Sequence, residues 1–321
     1  MKKTIINFNS IIENNIYNLD NVCYDNIKVL NMNRTQLRNI FKKYNFYTLL
    51  TTSKTQAKLA KNTKELNVYS IGLSIAPHTL QNNNISNVVY NVCSNSTSNC
   101  RKNCVIWQAG NPAYIPNKRK AMLNRKEFLI RNTSLFLACL IRLVELESFY
   151  SIKNKLVMTY RGNIASDLNY ENVKTIYNNK KITLQNIINT FIQNTIINNF
   201  DNVPYDYTKN YNRKQNKNYH LAYSVNDNDI NKSLTALKNG LDLAIIFNVS
   251  KNEKLPKFYK IGNKVLTVLD RDKHDYIAEK RNIIKNSVIH GLRFKYNAKH
   301  KKQKRIEVLN NAIKVGFVKN I

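Results

Sequence analysis

Three of the chain's five cysteines, Cys93, Cys100 and Cys104, share one short stretch, NVCSNSTSNCRKNCVIWQAG. Thiols this close usually have one job: a metal, an iron–sulfur cluster or a disulfide. The spacing C-x6-C-x3-C is not the doubled CxxC of a zinc ribbon. Three thiolates suit a [4Fe–4S] cluster with one iron left open to a small molecule. They equally suit zinc, with His78 as fourth ligand. The odd cysteine count and the lack of a recognisable export signal point to the reducing cytoplasm of a host cell, which weakens the disulfide reading. Cys139 lies in an apolar helical pattern and reads as a core thiol.

The elements that must position these thiols follow from hydrophobic periodicity. NVYSIGLSIAP, from Asn67, alternates and reads as a strand ending near His78. The cysteine segment and the two prolines of NPAYIPNKRK read as an irregular insertion. Residues 118–149 carry apolar residues at three- and four-residue steps, with a break at Asn132-Thr133. After Tyr150, strands at 155–162, 202–208, 218–225, 241–249, 264–270 and 287–294 are interleaved with helices at 183–199 and 227–239. This predicts an α/β fold with a mainly parallel sheet, a partial or distorted (β/α) barrel. Residues 1–66 read as an N-terminal extension with one helix near Arg34–Phe46, residues 67–294 as the α/β domain, and residues 295–321 as a basic tail.

Parallel α/β folds collect functional side chains at strand carboxyl ends. Reading each predicted strand to its end gives Arg161, Asp167, Tyr207, Lys209, Ser224 and Asp270 as candidate catalytic residues. LDRDKHD offers carboxylates to a divalent metal but lacks the glycine and terminal glutamate of an EF-hand, so a charged turn is the simpler reading. No His-hydrophobe-His element accompanies the tyrosines of YDYTKNY, which favours stacking or packing over nucleophilic chemistry.

The net charge is +31, and a field of that sign and size favours nucleic acid. The alternative is compositional: an Asn-, Lys- and Ile-rich chain follows from AT-rich coding, although that leaves the scarcity of acids unaccounted for. Lys295, Lys299, Lys301, Lys302, Lys304 and Arg305, in FKYNAKHKKQKR, form the densest basic run and are the expected phosphate contacts. No run of about 18 apolar residues suggests a membrane span.

The order SIAPH, C-x6-C-x3-C with CVIWQAG, YRGNIASDL, YDYTK, HLAYSV and VLDRDKHDY resembles the gene product 88 family of bacteriophages and related mobile elements. The resemblance covers roughly residues 67–294. It places the family's cysteine cluster on Cys93, Cys100 and Cys104, its Arg…Asp block on Arg161, Ser166 and Asp167, and its Tyr-Thr-Lys on Tyr207, Thr208 and Lys209. Ala165-Ser166-Asp167 stands where the family has Ser-Gly-Asp, and Val105-Ile106 where it has Tyr-Ala. The layout is similar to phage proteins of the radical-SAM type, which would imply an iron–sulfur cluster with S-adenosylmethionine. Two expectations therefore stand: an iron–sulfur enzyme acting on nucleic acid, or a non-enzymatic nucleic-acid-binding protein whose cysteines hold zinc or only pack.

Overall fold

The computed structural model describes residues 4–80, 88–108, 111–195, 202–296 and 300–321. The chain forms two compact units, residues 1–94 with 119–205, and residues 95–118 with 206–321.

The strands of the first unit are β1 (Thr4–Asn7), β2 (Ile16–Asn18), β3 (Cys23–Tyr24), β4 (Ile27–Lys28), β5 (Leu50–Thr52), β6 (Val68–Leu73), β7 (Val88–Asn91), β8 (Val157–Arg161), β9 (Lys174–Tyr177) and β10 (Lys180–Thr183). They make small mixed sheets. β6 lies between antiparallel β5 and parallel β8, and β1 runs parallel to β7. β9 pairs antiparallel with β10 and parallel with β2. Every residue of β6 and β8 is buried, as expected of parallel strands covered on both faces. Helix Thr133–Lys153 supplies Phe136, Leu140 and Val144 to the core, and Cys139 packs there as a plain hydrophobe whose thiol burial pushes upward.

The segment expected to be an extension is built into that core. Asn33 starts helix Arg34–Lys43 with a capping box: its side chain accepts from the Thr35 and Gln36 amides, and Gln36 returns a bond to the Asn33 amide. Leu37, Ile40 and Phe41 then face one way and join Phe128 and Phe136 in a single cluster. The two-residue turn between β9 and β10 needs left-handed backbone at both positions. Asn178 and Asn179 supply it (φ 50° and 60°), and the Asp20 carboxylate accepts both amides at 2.8 Å.

The second unit holds β11 (Tyr205–Thr208), β12 (His220–Ser224), β13 (Asp242–Phe247), β14 (Phe258–Ile261), β15 (Lys264–Asp270), β16 (Ile289–Arg293) and β17 (Val318–Lys319) in one sheet of order β11-β12-β13-β16-β15-β14. β12, β13, β16 and β15 are mutually parallel, β17 pairs parallel with the end of β13, and β14 is antiparallel to β15. The mixed α/β class therefore holds, but the expected barrel does not: among the described residues no sheet closes. A two-residue turn with Gly262 in the left-handed region (φ 59°) folds β14 back as an edge strand, where a crossover helix would have been needed to continue a barrel. The expectation of one shared parallel sheet is also corrected, because β6 and β8 have their own sheet and core in the first unit.

The cysteine segment is more regular than expected. It contains short helices at Ser98–Lys102 and Val105–Gln108, and Pro116 opens helix Pro116–Arg131 at a first-turn position where no amide hydrogen is needed. The residues after Lys301 form helix Lys302–Lys314, whose Ala312, Leu309 and Ile313 pack with Phe317 and Val318 against Ile246. No helix among the described residues is long and apolar enough to cross a membrane.

Candidate functional site

The polar groups of the second unit gather at both ends of its parallel strands. At the carboxyl end, two predicted residues meet directly: Lys209 Nζ donates to the Ser224 carbonyl at 2.9 Å and to Ser224 Oγ at 2.7 Å. Thr97 Oγ1 caps helix Ser98–Lys102 through the Cys100 amide and accepts from Asn226, in the loop after β12. That cap brings Cys100 and Cys104 to the same end, within electrostatic reach of Tyr223 and Lys209 respectively. Burial pushes the Cys104 thiol up, and the Ile106 backbone hydrogen bond, with smaller help from the Trp107 backbone and Lys209, offsets this only in part. Burial likewise pushes the Tyr223 hydroxyl up. These are settings for neutral thiol and phenol, and Lys209 donates to Ser224 where a general base would have to accept from it.

The other predicted residues of this unit are apart from that pair. Tyr207 is half-buried in β11. Asp270, at the end of β15, holds Arg293 Nη1 with both carboxylate oxygens at 3.0 Å, and Asp272 adds a third contact at 3.1 Å. The LDRDKHD turn thus presents its first two carboxylates to a guanidinium.

Cys93, His78, Arg161 and Asp167 fall in the first unit. Cys93 is buried, its Sγ accepting from the His78 amide at 3.2 Å and donating to the Ala165 carbonyl at 3.6 Å. Lys126, fully buried, donates to the carbonyls of His78, Leu80 and Tyr90 at 2.6–2.8 Å. Burial depresses its ammonium to about 8, against a small opposing pull from Cys93. Arg161 and Asp167 are buried too, and the Asp167 amide donates to the Val92 carbonyl. Asn163 stitches this loop by accepting from Ser166 Oγ and the Leu168 amide. Gly162 is required there, since a Cβ would lie 2.7 Å from the Tyr170 ring.

Cys93 Sγ thus has the His78 amide and the Ala165 carbonyl as partners, and burial pushes the Cys104 thiol up. Among the described residues, one group of three His, Cys, Asp or Glu side chains has ligand atoms within 4.8 Å of one another: His220, Asp242 and His290. Sequence reading missed it because its members open β12, β13 and β16 at the amino ends, opposite to where strand-end logic looks.

Asp242 Oδ2 receives His220 Nε2 at 2.9 Å and His290 Nε2 at 3.0 Å, while Oδ1 receives the Val288 amide at 3.0 Å and Lys280 Nζ at 3.1 Å. The tautomers follow from the far side of each ring. Gln215 Oε1 accepts the Leu221 amide, so its Nε2 donates to His220 Nδ1. Arg271 Nε donates to His290 Nδ1. Both Nδ1 atoms are acceptors, so both Nε2 atoms carry the proton and neither has a lone pair for a metal. Burial lowers both histidines, His290 to about 4, so both are neutral at pH 7. Burial alone would raise Asp242, but the two histidine bonds win and hold it well below the carboxylate range. Glu279, bonded to Arg271 and His274, is brought down to about 2 against its own burial. The network is fully partnered at Asp242 and pins the starts of three adjacent strands in register.

The expected phosphate contacts are mixed. Lys301 and Lys302 are exposed, Lys295 approaches Asp272 at 3.8 Å, Lys304 is paired with Glu307, and Arg305 Nε donates to the His300 carbonyl. Lys299 lies outside the described residues.

Fold and site together define a two-unit mixed α/β protein with a strongly basic second unit. The chain belongs to the bacteriophage gene product 88 family: the family described as "Gene product 88" matches residues 48–308. No curated protein and no solved structure matches it.

Proposed function

We propose that this gene product 88 family protein binds nucleic acid through the basic surface of its second unit. One observation carries the reading. The second unit has 28 Lys and Arg against 10 Asp and Glu, a net charge of +18, and each of those acids is already engaged. Asp206, Asp242 and Asp275 are buried. Asp227 and Asp229 face Lys232, Asp270 and Asp272 face Arg293, Glu279 faces Arg271, and Glu307 faces Lys304. Glu253 accepts the Ser250 amide. Exposed lysines such as Lys214, Lys217, Lys238, Lys251, Lys285 and Lys302 meet no carboxylate. Such a surface attracts phosphates, releasing condensed counterions on binding. The reading needs no cluster or zinc ion.

The test is fluorescence anisotropy with single- and double-stranded DNA and RNA over a range of salt. Binding is expected to be tight at low salt and to weaken steeply, linearly in log–log form, as salt rises. Weak binding at low salt, or a flat salt dependence, would show that the charge reflects coding composition.

A further inference from the structure

The β14–β15 hairpin and the loop leading into it bring exposed lysines together with exposed large apolar side chains. Lys251, Lys254, Lys257, Lys260 and Lys264 are all exposed, and none is paired with a carboxylate. The single acid among them, Glu253, is turned onto the Ser250 amide. Among these lysines sit two large apolar side chains open to water, Phe258 at 61% and Val265 at 65% exposure.

The strand register explains their placement. Phe258 pairs with Thr267 and Lys260 with Val265, and paired residues of an antiparallel ladder share a face. Phe258, Lys260, Val265 and Thr267 therefore point outward. The alternate residues Tyr259 and Leu266 point inward, where Tyr259 meets the Phe247 ring edge-on at 5.2 Å. β14 is the terminal strand of the sheet order. An exposed apolar edge strand invites aggregation unless charge or a partner manages it, and here lysines flank the apolar pair.

We infer that this hairpin face is a docking surface for single-stranded DNA, with Phe258 stacking on an unpaired base, Lys260 beside it on the same face, and the lysines of the strand ends and the preceding loop taking the adjacent phosphates. This rests on the nucleic-acid reading above and narrows it to a place and a strand state. A duplex buries its base faces in its own stack, so it can meet the lysines and not the ring. On the outward face Phe258 and Val265 offer a 2′-hydroxyl no partner, leaving Lys260 and Thr267 as the two groups that could bond one.

The test uses the full chain and fluorescein-labelled oligo(dT), oligo(U) and a DNA duplex. Phe258→Ala is expected to weaken oligo(dT) binding about 5- to 150-fold, the loss of one base stack, with duplex binding within about twofold. The salt slope should not change, because no charge is removed. Phe258→Trp should restore affinity and show quenched fluorescence on oligo(dT). A circular-dichroism melt checks that both variants fold, as expected for an exposed position. Unchanged oligo(dT) affinity in Phe258→Ala overturns the inference, and so does an equal loss on duplex. Tighter binding of oligo(U) than of oligo(dT) overturns the DNA assignment. Phosphatidylserine vesicles that bind the hairpin through Phe258 and are not displaced by oligo(dT) would make it a membrane surface. If wild type binds no nucleic acid, the broader reading fails; if it binds and Phe258→Ala is silent, only this inference fails.

Discussion

Two regions of one sheet use charge in opposite ways. At the amino ends of β12, β13 and β16, Asp242 accepts four donors and both histidines have a partner at each ring nitrogen. At the β14–β15 hairpin and the loop leading into it, five lysines meet no carboxylate and a phenylalanine faces water. Both regions are rich in chemically capable side chains. The first has nothing left to offer a ligand, and its geometry accounts for its cost by fixing strand register. The second gains nothing for the fold from its exposed groups. Completed valence marks structure, and uncompleted valence marks a surface that looks outward.

The largest effect that would break this contrast is on stability. Asp242→Ala leaves Lys280 buried beside no anion and two histidines with no acceptor, which should cost about 3–5 kcal/mol in urea unfolding. A loss under about 1 kcal/mol would mean the network does not hold the strands.

Acid pH gives the next effect. His220 and His290 are depressed below the ordinary histidine value, His290 to about 4. A group whose folded value is lowered gives stability that is complete above its unfolded value, about 6.5, and lost as pH falls toward the folded one. Urea midpoints should therefore decline steadily between about pH 6.5 and 4. Asp242 and Glu279, also depressed, add their loss only once pH falls below the unfolded carboxylate range. A midpoint that is flat from neutral pH to about 5 would contradict neutral buried histidines.

The smallest effect comes from the tail helix. Lys301→Gln with Lys302→Gln should reduce the salt slope on single-stranded DNA by about 1.4 at most, with no change in melting temperature. Lys304→Gln should do less, since Glu307 already neutralises that lysine. A larger reduction from these substitutions than from the hairpin would shift the interface toward the C-terminal helix.

Much of the fold was legible in the sequence where one face or both faces of an element are buried. The expected strands at 155–162, 218–225, 241–249 and 264–270 correspond to β8, β12, β13 and β15, and the break at Asn132-Thr133 separates two long helices. Element order did not reveal sheet partnership. Nothing in YRGNIASDL says that β8 would pair with β6 in a separate sheet, because that depends on which core covers it. β14 escaped notice because FYKI is only four residues long with its outward positions unburied, although the Gly262-Asn263 turn after it was a hairpin signal. The Asp242 network was illegible for another reason: its members come from three strands, and their identity as a unit exists only in register. Charge counting pointed to the tail, yet pairing with Asp272 and Glu307 sits there, while the evenly spaced lysines at 251, 254, 257 and 260 meet no acid.

The most direct test replaces Lys251, Lys254, Lys257, Lys260 and Lys264 together with glutamine and compares log affinity against log salt for single-stranded DNA with that of the wild type. Five lysines in phosphate contact predict a slope smaller in magnitude by up to about 3.5, with an unchanged thermal unfolding curve. A slope equal to that of the wild type would contradict the account, because the unpaired charge of the hairpin would then meet no phosphate.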